Sequence, residues 1–389
     1  MPRILVGLSF GSSLEGIDAA VVRAAGVGLG VVPRLERTIR LPMPASVRDE
    51  SNAESQIRTV ADAATQAVRN VVIQSGCSAR EVFAVGLLEP AHPVGERTVA
   101  WTEVADRIAE ITGLTVVHGF RGRDRAAGGS GHPITAASDF LLLRSEVEDR
   151  LLIHLGAVSS VLFIPANAKV QSLHGFETGP GSQLLDSILF HGTRGKELSD
   201  PGGKKAVQGR CLEPLLTRWL EHPHLTRKPP KAVHPEAFGR AFLHGVFDAA
   251  RDLGAGLPDL LCTISHFIAR SIGEAWRGRL PAGQPRVLVS GGGVRNGFLW
   301  QLLAQQFEGT PIARTDEAGL PAMARKSAAA AILATLTCDG VPGNLAPLTG
   351  AVGGRVLGQI VPGDSRNWAR CAAWLAEQAS DHSRSLRAA

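Results

Sequence analysis

Twice in this 389-residue chain the same device occurs: an apolar run, a turn of small residues, and a second apolar run. Arg3–Phe10 and Ile17–Ala25 flank "GSSLEG", and Leu151–Ile153 and Val161–Ile164 flank a second small turn at Gly156. Aliphatic runs of this length joined by Gly and Ser read as antiparallel hairpins. The chain is long enough for two domains, and each hairpin stands where one would open. Such a layout permits an α/β chain with two separate sheets.

The intervening pattern supports that class. After a third strand in "RLERTIRLPMP", the spacing of Ile57, Val60, Ala64, Ala67 and Val71 predicts a helix closed by Gly76. "EVFAVGLL" returns as a strand. "WTEVADRIAEITG" reads as a helix with Thr102 as its cap and Gly113 as its stop. "LTVVHGF" follows as a strand. Residues 183–280 read as mainly helical, broken by "EHPHLTRKPPKAVHPE", whose four prolines predict an exposed loop with solvated histidines. "RVLVSGGGVRN" is a strand, a triple-glycine turn and a helix start. An alanine-rich helix and a final amphipathic helix, "GDSRNWARCAAWLAEQA", complete the chain.

Composition narrows the function classes. At 44% hydrophobic and 20% charged residues there is material for a core in each domain. The net charge of +5 comes from scattered arginines without interleaved aromatics, which argues against nucleic-acid binding. Cys77, Cys211, Cys262, Cys338 and Cys371 are odd in number and far apart, fitting a reducing cytoplasm rather than disulfides or a zinc site. No run approaches the ~20 apolar residues of a membrane span, and the N-terminal run is too short for a signal peptide. A cytoplasmic protein with no membrane partner is expected.

Four segments have residues suited to nucleotide chemistry, and each has a plain structural reading beside it. Gly11, Ser12, Ser13 and Gly16 form a cradle for phosphate, with Glu15 or Asp18 near a hydrated Mg²⁺, or they form a hairpin loop. Gly291, Gly292 and Gly293 bare the backbone for adenine or phosphate, with Asn296 bonding the nucleotide or capping a helix. In "GFETGPGSQLLD", Thr178 and Gly179 contact phosphate or belong to a β-turn, and Asp186 sits in the following helix. Asp124 lies just past a strand end among Arg121, Arg123 and Arg125. Those arginines would keep it ionised as a general base, or the segment is a salt-bridged surface loop.

The order of these segments is more specific than any one of them. "GLSFGSSLEGIDAA", "ADRIAEITGLTVVHGFRGRDRAAGGSGHP", "GFETGPG", "LVSGGGVRN", "RTDEAGLPA" and "VPGNLAPLTGA" resemble, in register and over nearly the whole chain, the anhydro-N-acetylmuramic acid kinase family. The resemblance implies a two-lobed actin/hexokinase-like ATPase fold with an interdomain cleft. Its lobes would be 1–143 plus about 358–389, and 144–357. It implies a sugar kinase of cell-wall recycling that uses ATP and Mg²⁺ to open a 1,6-anhydro ring and phosphorylate O6. It implies Asp124 as the catalytic base and Arg121 and Asp124 as substrate contacts. Gly11 to Asp18, Gly156 and Gly291 to Asn296 would be the nucleotide contacts, and a homodimer the assembly.

The chain departs from the family's pattern at named positions. Phe10 stands for a serine and would set a bulky ring beside the first turn. Ser12 stands for a threonine and Glu15 for an aspartate. The second phosphate turn reads "HLGAVSS", with His154 for Asn, Ala157 for Gly and Ser160 for Asn. An expected HGQT segment reads "LLEPAHP", and Met323 and Lys326 stand where the family has acids. These departures leave two alternatives beside the family's reaction: a kinase for a different sugar, or an inactive nucleotide-binding pseudokinase.

Overall fold

The computed structural model describes residues 2–11, 14–44, 46–49, 52–90, 99–279, 281 and 284–388. The chain divides into two compact units, Met1–Leu143 with Ala324–Ala389, and Arg144–Met323.

In the first unit, β1 (Arg3–Phe10) and β2 (Gly16–Ala25) form the expected hairpin, and β3 (Val32–Pro42) continues it antiparallel. On the other side of β1, β4 (Val82–Leu88) and β5 (Val116–His118) add in parallel. The antiparallel β11 (Gln359–Val361) completes the order β11-β5-β4-β1-β2-β3. Side chains of a strand alternate between faces. Ile4, Val6, Leu8 and Phe10 accordingly join a core with the helices Ala53–Ser75 and Trp101–Thr112. Gly7 presents bare backbone to the opposite face, where the helix Arg325–Cys338 lies. A Cβ on Gly7 would fall 1.8 Å from Ser327 O, and one on Gly86 2.1 Å from Ala330 O. That close seating draws the alanine-rich helix into the first unit, so the chain returns at Ala324 and not near 358.

Helix ends follow the glycines. Gly76 and Gly113 are left-handed C-caps with φ of 75° and 69°. Thr102, in contrast, is not a cap: the second helix starts at Trp101, behind Ala100, and has no side-chain cap. Burial ties the chain ends together. Arg3 pairs with Asp339 through both nitrogens, and Asp339 also accepts from Gly28 N at 2.7 Å and Trp374 Nε1 at 2.9 Å.

The second unit repeats the strand order. β6 (Arg150–Leu155), β7 (Val158–Ile164) and β8 (His174–Pro180) form an antiparallel meander. β9 (Arg286–Ser290) and β10 (Ile312–Arg314) add in parallel beside β6, giving β10-β9-β6-β7-β8. Each unit is thus a hairpin meander extended by parallel strands, an α/β layout. Leu151, Ile153 and Leu155 anchor this core against the helices Ser182–Gly192, Leu257–Arg279 and Gly297–Gln306.

Two loop expectations are overturned here. "GFETGP" is strand β8 itself, with Pro180 at its end, where a missing N–H costs no ladder bond. The proline-rich segment is only partly exposed, because His224, Lys231 and Val233 are buried. Glu177 of β8 holds it down: its Oε2 accepts from Val233 N at 2.7 Å, and its carbonyl lies 3.0 Å from His224 Nε2. Lys231 Nζ donates to His224 O at 2.9 Å and sits over the Phe176 ring. Burial, helped by the Lys231 charge, pushes His224 down to about 4.

Candidate active site

Asp124 lies on the short helix Phe120–Ala126, entered from β5 through Gly119 at φ 68°. It is therefore on a helix and not in a loop past the strand, and it is completely buried. Its Oδ1 accepts from Asn344 Nδ2 at 2.6 Å and Thr349 Oγ1 at 2.7 Å, and its Oδ2 from Gly131 N at 2.8 Å. The expected arginine surround is absent. Arg123 and Arg125 are exposed, and Arg121 Nη1 donates instead to Glu89 O at 3.0 Å. Neutral donors, not cations, hold this carboxylate.

Asn344 and Thr349 were not assigned a role by sequence reasoning. They come from the segment after the helix Arg325–Cys338, and backbone bonds fasten that segment to the loop that follows Asp124. Ser130 N donates to Thr349 O at 2.9 Å and Val352 N to Ala127 O at 2.9 Å. Asn344 Oδ1 in turn accepts from Arg355 N at 2.6 Å.

Glu89, also unassigned, follows β4 and accepts from Gly119 N at the start of the Asp124 helix. His118 Nδ1 lies 3.6 Å and Arg121 Nη1 3.9 Å from its carboxylate. Burial pushes this carboxyl up, but the His118 hydrogen bond, the Arg121 charge and the Gly119 N–H outweigh it. The net result is a carboxyl held below its ordinary range.

The first turn is smaller than expected. Gly11 O accepts from Leu14 N at 3.0 Å, while Gly16 and Asp18 already belong to β2. Asp18 pairs with Arg40 of β3 at 3.2 Å, and Glu15 is the exposed carboxylate at the turn. Ser12 and Ser13 lie outside the described residues. Phe10 does not crowd this turn: its ring is buried against Trp101, with centroids 4.8 Å apart.

In the second unit the turn at Gly156 and the glycines after β9 meet around one imidazole. His154 Nδ1 lies 3.2 Å from Ser290 Oγ. A Cβ on Gly156 would fall 2.5 Å from His154 Nε2, and one on Gly291 2.8 Å from His154 Cε1. Two glycines thus make room for His154. Gly291 has a φ of 95°, Gly293 packs on Leu155, and a Cβ on Gly292 would meet nothing within 4 Å. Asn296 caps the next helix, accepting from Leu299 N at 3.0 Å. The carbonyls of Gly156 and Ala157 accept from Ser182 N and Gly181 N, at 2.8 and 3.0 Å. Thr178 and Gly179 are not in a turn. Thr178 donates to Ser159 O at 3.2 Å, and Gly179 lies against Leu225 and Ser271.

Among the described residues no group of three or more His, Cys, Asp or Glu is placed to hold a metal, and no helix is long and apolar enough to cross a membrane. The five cysteines are free thiols.

Known proteins match this chain along almost its whole length. The family model for anhydro-N-acetylmuramic acid kinase matches residues 3–363. The anhydro-N-acetylmuramic acid kinase of Gloeobacter violaceus is 33% identical over 380 residues, spanning 93% of this chain and 99% of its own. That of Trichormus variabilis is 33% identical over 386 residues, with 93% and 98% covered. That of Streptomyces coelicolor is 31% identical over 382 residues, with 92% and 94% covered. On these matches, which span nearly the whole of both sheets, the chain belongs to the anhydro-N-acetylmuramic acid kinase family.

Proposed function

We propose that this chain is an ATP-dependent kinase that opens the 1,6-anhydro ring of anhydro-N-acetylmuramic acid and phosphorylates O6. The observation that carries the reading is the buried, fully oriented Asp124 inside the family's motif. Asp124 takes a proton from water as the water oxygen bonds to the anomeric carbon. The bond from that carbon to the bridging oxygen breaks, and the freed O6 takes the γ-phosphoryl group of ATP, leaving ADP.

ATP supplies the phosphoryl group, and the residues present fit it. Gly292 leaves bare backbone open, and the carbonyls of the β6–β7 turn, acceptors that would repel a phosphate, are satisfied by Gly181 N and Ser182 N. Gly11, Gly156 and Gly291 to Gly293 are the assigned nucleotide contacts, with Asn296 stiffening the last of these turns. Glu15 is the carboxylate suited to Mg²⁺ through water, since Asp18 is engaged by Arg40. Arg121, fixed by Glu89, is assigned to the sugar. Phe10 supports activity over the pseudokinase alternative, because its ring lies in the core. A homodimer in the cytoplasm belongs to the same reading.

The test is ADP release with Mg²⁺-ATP, with and without the anhydro sugar, for wild type and Asp124→Asn. Sugar-dependent turnover that falls at least ~100-fold in the variant is expected. Tight ATP binding without turnover on this sugar would overturn the proposal.

A further inference from the structure

A carboxylate has two oxygens and about four lone-pair directions. At Asp124 they are used unequally. Oδ1 accepts two side-chain donors, Asn344 Nδ2 and Thr349 Oγ1, and Oδ2 accepts one, the N–H of Gly131. Both donors on Oδ1 come from more than 200 residues away in sequence. Each is itself held: Asn344 by Arg355 N, and Thr349 through its carbonyl by Ser130 N. The oxygen left with an open direction is Oδ2.

Gly129 packs against the same carboxylate. Gly129 is half-buried, and a Cβ there would fall 2.3 Å from Oδ2 and 2.7 Å from Asp124 Cγ. The missing side chain lets the backbone approach this completely buried carboxylate, closest at Oδ2, with Oδ1 at 2.9 Å from the same Cβ position. Gly129 has no left-handed φ, so the backbone conformation does not demand glycine there.

We infer that Oδ2 is the oxygen of Asp124 that takes the proton, with Asn344 and Thr349 as positioning residues that occupy Oδ1 and aim the carboxylate. This rests on the reading of Asp124 as the base. The O–H bond of water breaks and its proton goes to Oδ2, while Oδ1 keeps its two donors throughout. A base fixed in this way loses no geometry to rotation about the Cβ–Cγ bond at the moment of attack.

Three variants test it by steady-state kinetics. Thr349→Val keeps the shape and removes the hydroxyl donor, and Thr349→Ser restores a donor. Gly129→Ala sets a methyl against the carboxylate, closest at Oδ2. Thr349→Val is expected to lower kcat at least tenfold, with KM for ATP and for the anhydro sugar within twofold of wild type, and Thr349→Ser to recover kcat to within threefold. Gly129→Ala is expected to lower kcat at least tenfold with KM for ATP unchanged. Should Thr349→Val fail to fold by circular dichroism, Asn344→Ala carries the same expectation. A kcat within twofold of wild type in Thr349→Val, or a loss that Thr349→Ser does not recover, overturns the positioning role. A kcat within twofold in Gly129→Ala overturns the choice of Oδ2. Wild-type protein that does not turn over the sugar sinks the proposed function itself, a result distinguishable from either.

Discussion

The seating of the helix Arg325–Cys338 on bare strand backbone makes a sharp demand on Gly7. An added methyl would stand 1.8 Å from Ser327 O and 2.7 Å from Ala331 N, where ordinary contact begins near 3.4 Å. The helix backbone would have to retreat by roughly 1.5 Å, and it has no free side to retreat to: its residues from Ser327 to Cys338 are all buried. One extra methylene in a packed core costs ~1–3 kcal/mol when side chains can adjust. Here the obstacle is main chain, so Gly7→Ala should cost about 3 kcal/mol or more. With a urea slope of ~2 kcal/mol/M, the midpoint for the first unit drops by about 1.5 M. The two units need not unfold together, so the readout is hydrogen exchange of the β1 and β4 peptides across a urea series. Gly245→Ala is the control. It lies within a helix of the second unit and faces open space, so it should leave the β1 and β4 midpoint unchanged. A Gly7→Ala midpoint within ~0.3 M of wild type would refute the packing argument.

Phe10→Ser should remove a core ring and cost ~3–5 kcal/mol while leaving KM for ATP unchanged. A thermal melt and an ATP titration check it, and tighter ATP binding without loss of stability would place the ring at the phosphates after all. His224 offers a pH prediction. Its folded value of about 4 lies below the ordinary 6.5, so the unfolded chain takes up the proton first as pH falls. Its neutral form is fully compatible with the fold above pH 6.5, and stability declines from there toward pH 4, by ~3 kcal/mol at most. His224→Gln should flatten that slope in urea midpoints measured from pH 7 to 4.5, and an unchanged slope would count against it.

What the sequence made legible was local. The apolar run Arg3–Phe10 marks β1 to the residue, and Gly76 and Gly113 stop their helices because both take a left-handed φ. The Asp124 motif was visible because its residues are contiguous. What stayed hidden depends on partners far along the chain. Asn344 and Thr349 reach Asp124 across 220 and 225 residues, so the neighbouring arginines looked like the partners. The proline-rich loop read as exposed because nothing within it shows that Glu177 will hold it down. Phe10 is different, since the signal was present. It shares the parity of Ile4, Val6 and Leu8, and that alternation alone aims it into the core. Glycine and proline content misled at β8, because an edge strand tolerates both better than a central one.

The tie between Arg3 and Asp339 also bears on the order in which this protein can be made. During synthesis Arg3 waits for a partner 336 residues later. Until then Gly7 and Gly86 carry an uncovered sheet face whose lid is still unsynthesised. The segment 144–323, which holds its own sheet and core, is meanwhile complete. Vectorial synthesis therefore finishes the inserted unit before the unit that flanks it, and the earlier-made part of that unit must be kept from aggregating until the helices after Ala324 arrive.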